Sequence, residues 1–179
     1  MKPPPLLLAV VVIVFAQVSF GADLKVGDQA PAFTLSYATK DTIVNKGFSL
    51  SSSLGNSFIV LAFYPADWSG GCTKEMCTMR DGFTELANLG SDVYGISGDY
   101  VNSHREWAKH LGLQFKLLSD HNHEVAKAYE SYNPETGFNK RTVFVVDKNG
   151  KIAYMDLDYK AGTMDSFNKL KSALANLRR

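Results

Sequence analysis

Apolar positions along the chain fall into two kinds of run. Phe58 to Tyr64, FIVLAFY, is continuously apolar and rich in β-formers, the pattern of a central strand buried on both faces. Shorter runs predict strands at Ala32–Tyr37, Thr42–Val44, Val93–Ser97, Phe115–Leu118, Thr142–Val146 and Ile152–Leu157. Thr39-Lys40-Asp41 is the turn between the first two, and Asp147-Lys148-Asn149-Gly150 joins the last two as a hairpin. Spacings of three and four predict helices elsewhere. Met76, Met79, Phe83 and Leu86 form the buried stripe of a helix over Gly71–Leu89 that stops at Gly90, and Cys72 lies on the same stripe. Ser103-His104-Arg105-Glu106 has the capping-box pattern and opens a helix through Trp107 and Leu111 to Gly112. Asp120 caps a helix over His121–Glu130 with Val125, Ala128 and Tyr129 inward. Met164, Phe167, Leu170, Leu174 and Leu177 make a closing amphipathic helix. Asp23–Pro31 and Asn133–Asn139 read as loops, and Ser49–Asn56 as a loop or a short helical turn. Strands alternating with helices, then a hairpin and a last helix, predict an α/β sandwich with a mixed sheet.

The N-terminal run has a different meaning. Lys2 precedes the apolar stretch Leu6–Phe20, 15 residues that suit a secretory signal and are short for a membrane span. Small residues Ser19 and Gly21 place cleavage before Ala22. Residues 1–21 are therefore read as a signal peptide and 22–179 as one domain. Uncleaved, the run would be a membrane anchor. Export leads to a periplasm, the extracellular space or an organelle on the secretory route. Lysine plus arginine, 19, nearly cancels aspartate plus glutamate, 18, so charge gives no argument for a nucleic-acid or anionic partner.

The two cysteines, Cys72 and Cys77, change the picture most. A bridge between them would close a very small loop and constrain the unfolded chain little, so reactivity explains the pair better than stapling does. Cys72 falls in the first turn of its helix, where unpaired N–H groups and the positive end of the macrodipole favour a thiolate. Gly70 and Gly71 let backbone and substrate approach closely. Ser69 can present a hydroxyl to the sulfur or to a bound oxygen, and Pro65 fixes the strand exit. These are the parts of a pocket for a small, oxygen-rich substrate. The histidines carry less. His121 and His123, beside Glu124, diverge on a helix and read as a polar helix start. His104 and His110 read as surface residues, Trp107 as core, and Met76 and Met79 as packing. Trp68 either walls the pocket or forms an exposed apolar patch.

Pro65-Ala66-Asp67-Trp68-Ser69-Gly70-Gly71-Cys72 resembles the P-x-x-x-[T/S]-x-x-C signature of peroxiredoxins. Glu75 and Cys77 continue it as in the bacterioferritin-comigratory-protein and peroxiredoxin Q branch. Gly95-Ile96-Ser97, Leu117-Leu118-Ser119-Asp120 and Arg141 with Phe144–Gly150 are similar to the same branch. The resemblance implies a thioredoxin-like fold, a central mixed sheet flanked by helices with an N-terminal β-hairpin extension. It implies reduction of hydroperoxides without metal or organic cofactor, with Cys72 peroxidatic and Cys77 resolving. Pro65, Ser69 and Arg141 would line the site, and Glu75 would either hydrogen-bond within it or merely suit the helix start. The implied partners are a hydroperoxide and a thioredoxin-like dithiol, and the implied state is a monomer. Gly70 stands where the branch often has proline, and Val143 where it often has a hydroxyl residue, with Thr142 one place earlier.

Spacing adds one expectation. Five residues apart on a regular helix, the two Cα atoms lie roughly 8.6 Å from each other, beyond the bridgeable limit of about 7 Å. A Cys72–Cys77 disulfide therefore requires the helix start to unwind. Other readings of the same residues fit less well. A copper chaperone of this fold places its cysteines four apart and needs a histidine in a late loop, where 133–140 has none. A thiol-disulfide oxidoreductase would carry C-x-x-C. A non-catalytic interaction domain leaves the cysteine turn unexplained.

Overall fold

The computed structural model describes residues 23–161 and 163–179. The expected signal peptide lies outside them. In chain order the elements are β1 (Thr34–Ala38), β2 (Ile43–Ser49), α1 (Leu50–Ser53), β3 (Phe58–Phe63), α2 (Gly70–Asp81), α3 (Phe83–Asn88), β4 (Ser91–Ser97), α4 (Val101–Leu111), β5 (Lys116–Ser119), α5 (Glu124–Ala128), β6 (Tyr132–Asn133), β7 (Phe138–Asn139), β8 (Thr142–Val146), β9 (Ile152–Asp156) and α6 (Asp165–Leu177).

All residues of β3 are buried, as its unbroken apolar run requires. It pairs in parallel with β4 and antiparallel with β8. The sheet has seven strands in the order β2-β1-β5-β4-β3-β8-β9, so it is mixed, with the β1–β2 hairpin added at one edge. Alternation along β3 and β8 divides the core. Val60, Ala62, Val143 and Val145 meet α2, α4 and α6 through Met76, Trp107, Phe167 and Leu170. Ile59, Leu61, Phe63, Phe144 and Val146 meet Phe48, Leu50, Val125 and Tyr129 on the opposite face.

Several elements depart from expectation. The helix over Gly71–Leu89 is two helices, separated at Gly82. The Phe167 ring of α6 packs where a Gly82 side chain would be, so the break seats the closing helix. The capping box does not operate. α4 begins at Val101, and Ser103 lies inside its first turn, its hydroxyl turned to Asp67. Gly112 ends α4 in the left-handed conformation, as expected. Asp120 does cap α5, accepting from Val125 and Ala126 N–H, but the helix is shortened to Glu124–Ala128. The 133–139 loop contains the small β6–β7 hairpin, and β2 runs on to Ser49. In α6, Phe167, Leu170 and Leu174 are buried, whereas Met164 and Leu177, one at each end, are exposed.

Phe144 anchors the second face, edge-on to Phe63 and Tyr129 with ring centroids 5.9 and 5.3 Å away. Phe144→Ala is expected to lower unfolding free energy by about 3–5 kcal/mol in urea titrations, because a fully buried ring leaves a cavity.

Candidate active site

β3 and β8 run in opposite directions, and Phe63 pairs with Thr142. The end of one strand and the start of the other therefore meet at the same edge. The chain leaving β3 forms the 64–69 loop and enters α2. The residue just before β8 is Arg141. Topology alone brings Cys72 and Arg141 together across 69 positions of sequence.

Ser69 is the N-cap of α2, and its hydroxyl oxygen accepts the Cys72 N–H at 3.4 Å. Cys72 thus occupies the third helical position, in the turn with unpaired amides. Its side chain is fully buried, against the core cluster that contains Met76, Tyr64 and Val143. Arg141 reaches over it. Nη2 donates to Cys72 Sγ at 3.5 Å, and Nη1 donates to Glu75 Oε2. One planar guanidinium thus serves the sulfur and a carboxylate one helical turn further on. A side chain on Gly71 would come within 3.1 Å of Arg141 Nη2 and press the guanidinium aside by a few tenths of an ångström. Gly70 faces open space. Pro65 is half-buried at the exit of β3, and Ser69 is exposed.

The charges are poised against burial. Glu75 is completely buried, and burial raises its carboxyl from 4.5 to about 7, with Arg141 pulling the other way. Among the described residues, its second oxygen, Oε1, has no hydrogen-bond partner, and neither does the buried Tyr159 hydroxyl. Burial also opposes the Arg141 charge, yet Glu75 and Cys72 hold its proton more firmly than usual. The Tyr159 hydroxyl is pushed up by burial and then by Glu75, and its backbone N–H donates to the Arg141 carbonyl at 3.1 Å.

Cys77 lies in the same helix as Cys72, half-buried, and both are free thiols. Arg80 fastens the far end of α2, donating from Nη1 to the Leu111 carbonyl at 2.8 Å. Thr142 does not supply a hydroxyl to the site, because it is paired with Ser131 at 2.5 Å, and Val143 packs in the core.

His104 is the clearest correction. It is fully buried, with Nδ1 2.9 Å from Asp67 Oδ2 and Nε2 3.2 Å from the Leu118 carbonyl oxygen. Tyr64, Ser103 and Asp99 complete a polar network under the cysteine loop that the sequence reading missed. The signal was there: His104, Trp107, Ala108 and Leu111 share one face of α4, and all are buried. Trp107 is core, as expected, and His110 is exposed. His121 and His123 precede α5 without entering it and bond to Tyr100 and Asn139. Trp68 is 54% exposed and leans on α4, with its ring centroid 5.5 Å from that of His110.

A helix-start cysteine under a strand-borne arginine, on a mixed sheet flanked by helices, defines a thiol protein of the thioredoxin-like class. Comparison with known proteins narrows this. The AhpC/TSA family profile matches residues 26–155. Peroxiredoxin Q of Oryza sativa subsp. japonica, a chloroplastic protein, is 38% identical over 133 residues, which are 72% of this chain and 57% of the rice protein. The chain thus spans little more than half the length of that plant relative. A putative peroxiredoxin of Coxiella burnetii is 36% identical over 136 residues, covering 73% of this chain and 86% of that protein. Among solved structures, peroxidoxin BcpB of Mycobacterium tuberculosis is 30% identical with a TM-score of 0.75, covering 87% of this chain and 99% of that one. The chain belongs to the AhpC/TSA family, within its peroxiredoxin Q and bacterioferritin-comigratory-protein branch.

The Glu75 shift has a definite sign. Its folded-state pKa is raised, so between pH 4.5 and about 7 the folded chain holds a proton that the unfolded chain releases. Glu75 therefore contributes stability below that window and loses it as pH rises through it. Glu75→Gln is expected to gain on the wild type by an amount on the order of 3 kcal/mol across the same window, measured by urea denaturation at each pH.

Proposed function

We propose that this chain reduces hydrogen peroxide and organic hydroperoxides by a two-cysteine cycle. The observation that carries this reading is the Arg141 guanidinium, shared between the Cys72 sulfur and buried Glu75. It sets positive charge and a spare donor direction beside a sulfur at a helix start.

In the first step the Cys72 thiolate attacks the nearer peroxide oxygen. The O–O bond breaks, its electron pair leaves with the distal oxygen, and that oxygen takes a proton to become water or an alcohol. Arg141 stabilises the negative charge that builds on the departing oxygen. Ser69 holds the backbone of Cys72 in register. Cys72 is left as a sulfenic acid. In the second step the Cys77 thiolate attacks Cys72 Sγ and expels hydroxide, which is protonated to water, and a disulfide forms. A thioredoxin-like or other dithiol then reduces the bridge and restores two thiols. Export of the mature chain, with the first 21 residues removed, would put this cycle outside the cytoplasm.

The second step needs movement. Both cysteines sit within α2, so the helix must unwind between them for the sulfurs to meet. Gly70 and Gly71 make that turn inexpensive to melt, at about 1 kcal/mol each relative to alanine. Arg80, held to the end of α4, stops the melting short of α3.

Peroxide consumption with a thioredoxin and its reductase tests the cycle. Cys72→Ser is expected to be inactive. Cys77→Ser is expected to react once and stop as sulfenic acid, trapped by dimedone and read by mass spectrometry. Full turnover by Cys72→Ser would overturn the assignment. Amide exchange tests the movement: oxidised chain is expected to lose protection across 70–77 while β3 and β8 keep theirs. An oxidised chain bridged between the two cysteines, with that segment still protected, would rule the unwinding out.

A further inference from the structure

The Asp67 and His104 side chains are both fully buried, yet the chemistry above uses neither. Asp67 belongs to the loop that joins β3 to α2, and His104 of α4 lies beneath it. His104 Nε2 faces the Leu118 carbonyl oxygen at 3.2 Å, an acceptor only, so that nitrogen bears a proton. Nδ1 lies 2.9 and 3.2 Å from the two Asp67 oxygens, with one further proton between ring and carboxyl. Tyr64 donates to Asp67 Oδ1 at 2.8 Å, and Ser103 donates to Oδ2 at 2.7 Å. The Asp67 backbone N–H donates to Asp99 Oδ2 at 2.8 Å, the same oxygen that accepts from Ser97. One loop residue is thereby fastened to Tyr64 at the start of its own loop, to the end of β4, to α4 and, through His104, to β5.

The next residue shows how tightly. Trp68 stands in the left-handed region at φ 63°, a conformation unfavourable for a non-glycine residue. It is kept there by its indole N–H, which donates to Ser103 Oγ at 3.3 Å, and by packing on Trp107 and His110. Strain of this kind persists only where the surroundings over-determine the backbone. A buried polar pair is poor glue compared with apolar packing, and the core beside it, at Met76, Trp107 and Leu111, is apolar. What the polar pair supplies is direction. Its hydrogen bonds fix the orientation of the loop, which apolar contact would leave free to slide.

We propose that Asp67 and His104 are positioning residues: they clamp the 65–69 loop to α4 and so keep Ser69 and the pocket of Cys72 in place while the start of α2 melts and reforms. This rests on the peroxidase reading. Neither residue touches the reacting atoms. Asp67→Asn keeps the clamp, because its amide can donate to a neutral His104 Nδ1 while its oxygen still accepts from Tyr64. His104→Leu removes it.

The test compares two reactions of Cys72 in reduced full-length chain that circular dichroism shows to be folded. In His104→Leu the rate with hydrogen peroxide is expected to fall roughly 10- to 100-fold, while alkylation by iodoacetamide, which needs no aligned pocket, stays within about threefold. Asp67→Asn is expected to retain the wild-type ratio of the two rates. Ser103→Ala, at a half-buried position, leaves the pair intact and keeps the question open to measurement if His104→Leu does not fold; it is expected to show the same split in smaller measure. Equal losses in both reactions, or a wild-type peroxide rate in folded His104→Leu, would overturn the proposal. Amide exchange reads the clamp without peroxide: residues 66–69 should exchange roughly tenfold faster or more in the variant that folds, with β3 unchanged. No such acceleration also overturns it. A wild type inert to peroxide sinks the peroxidase reading alone, and the exchange rates then decide whether the clamp exists.

Discussion

One buried carboxylate and one guanidinium constrain the whole site. A carboxylate removed from water without full pairing costs several kcal/mol, and among the described residues Glu75 has only Arg141 to offset that. Arg141 reaches Glu75 and Cys72 at once, because both acceptors lie on one face of α2, three positions apart. The arginine is held from behind by β8 and by the Tyr159 N–H on its carbonyl. The carboxylate is held by burial in the helix. What remains is a charge placed over the sulfur before any substrate arrives, which is the form of preorganisation that lowers a barrier where charge develops.

The surroundings of Cys72 divide by the kind of force that holds them. Behind the cysteine, β3, β4 and β8 are paired on both sides and packed on both faces. Beneath the loop, directional polar contacts take over, with Asp67 at their centre. Ahead of the cysteine, α2 begins with two glycines and a serine cap, all exposed. Rigidity falls along the chain from strand to loop to helix start. The proposed cycle asks for movement only in the last of these.

Much of this was legible in the sequence. The run at Phe58 has the pattern of a central strand, and the turn after it that of a helix start beside glycines and a cysteine. Arg141 was legible through family resemblance alone, because nothing local distinguishes it from a surface arginine before a strand. His104 was misread because its neighbours Arg105 and Glu106 are charged and draw attention to the exposed face of α4, although its spacing to Trp107 and Leu111 marks the buried one. The division at Gly82 was invisible for another reason. The apolar stripe runs through it without a change of period, and the ring that occupies the space beside Gly82, Phe167, comes from a segment 85 positions later. Met164 and Leu177 fit the closing stripe but fall at the two ends of α6, past the reach of the core.

That division has a thermodynamic side. A single helix from Gly70 to Asn88 would melt as one cooperative block, and opening its first turn would threaten the packing of Leu86 against the sheet. Split at Gly82, α2 has its own short ladder and the grip of Arg80, and its first turn, ahead of the buried Met76 and Met79, can open without breaking the ladder of α3. Opening of that first turn is thereby separable from global unfolding. Substitutions that strengthen the packing of α3 on β4 can raise the melting temperature of the chain with little change in the opening of the first turn of the cysteine helix.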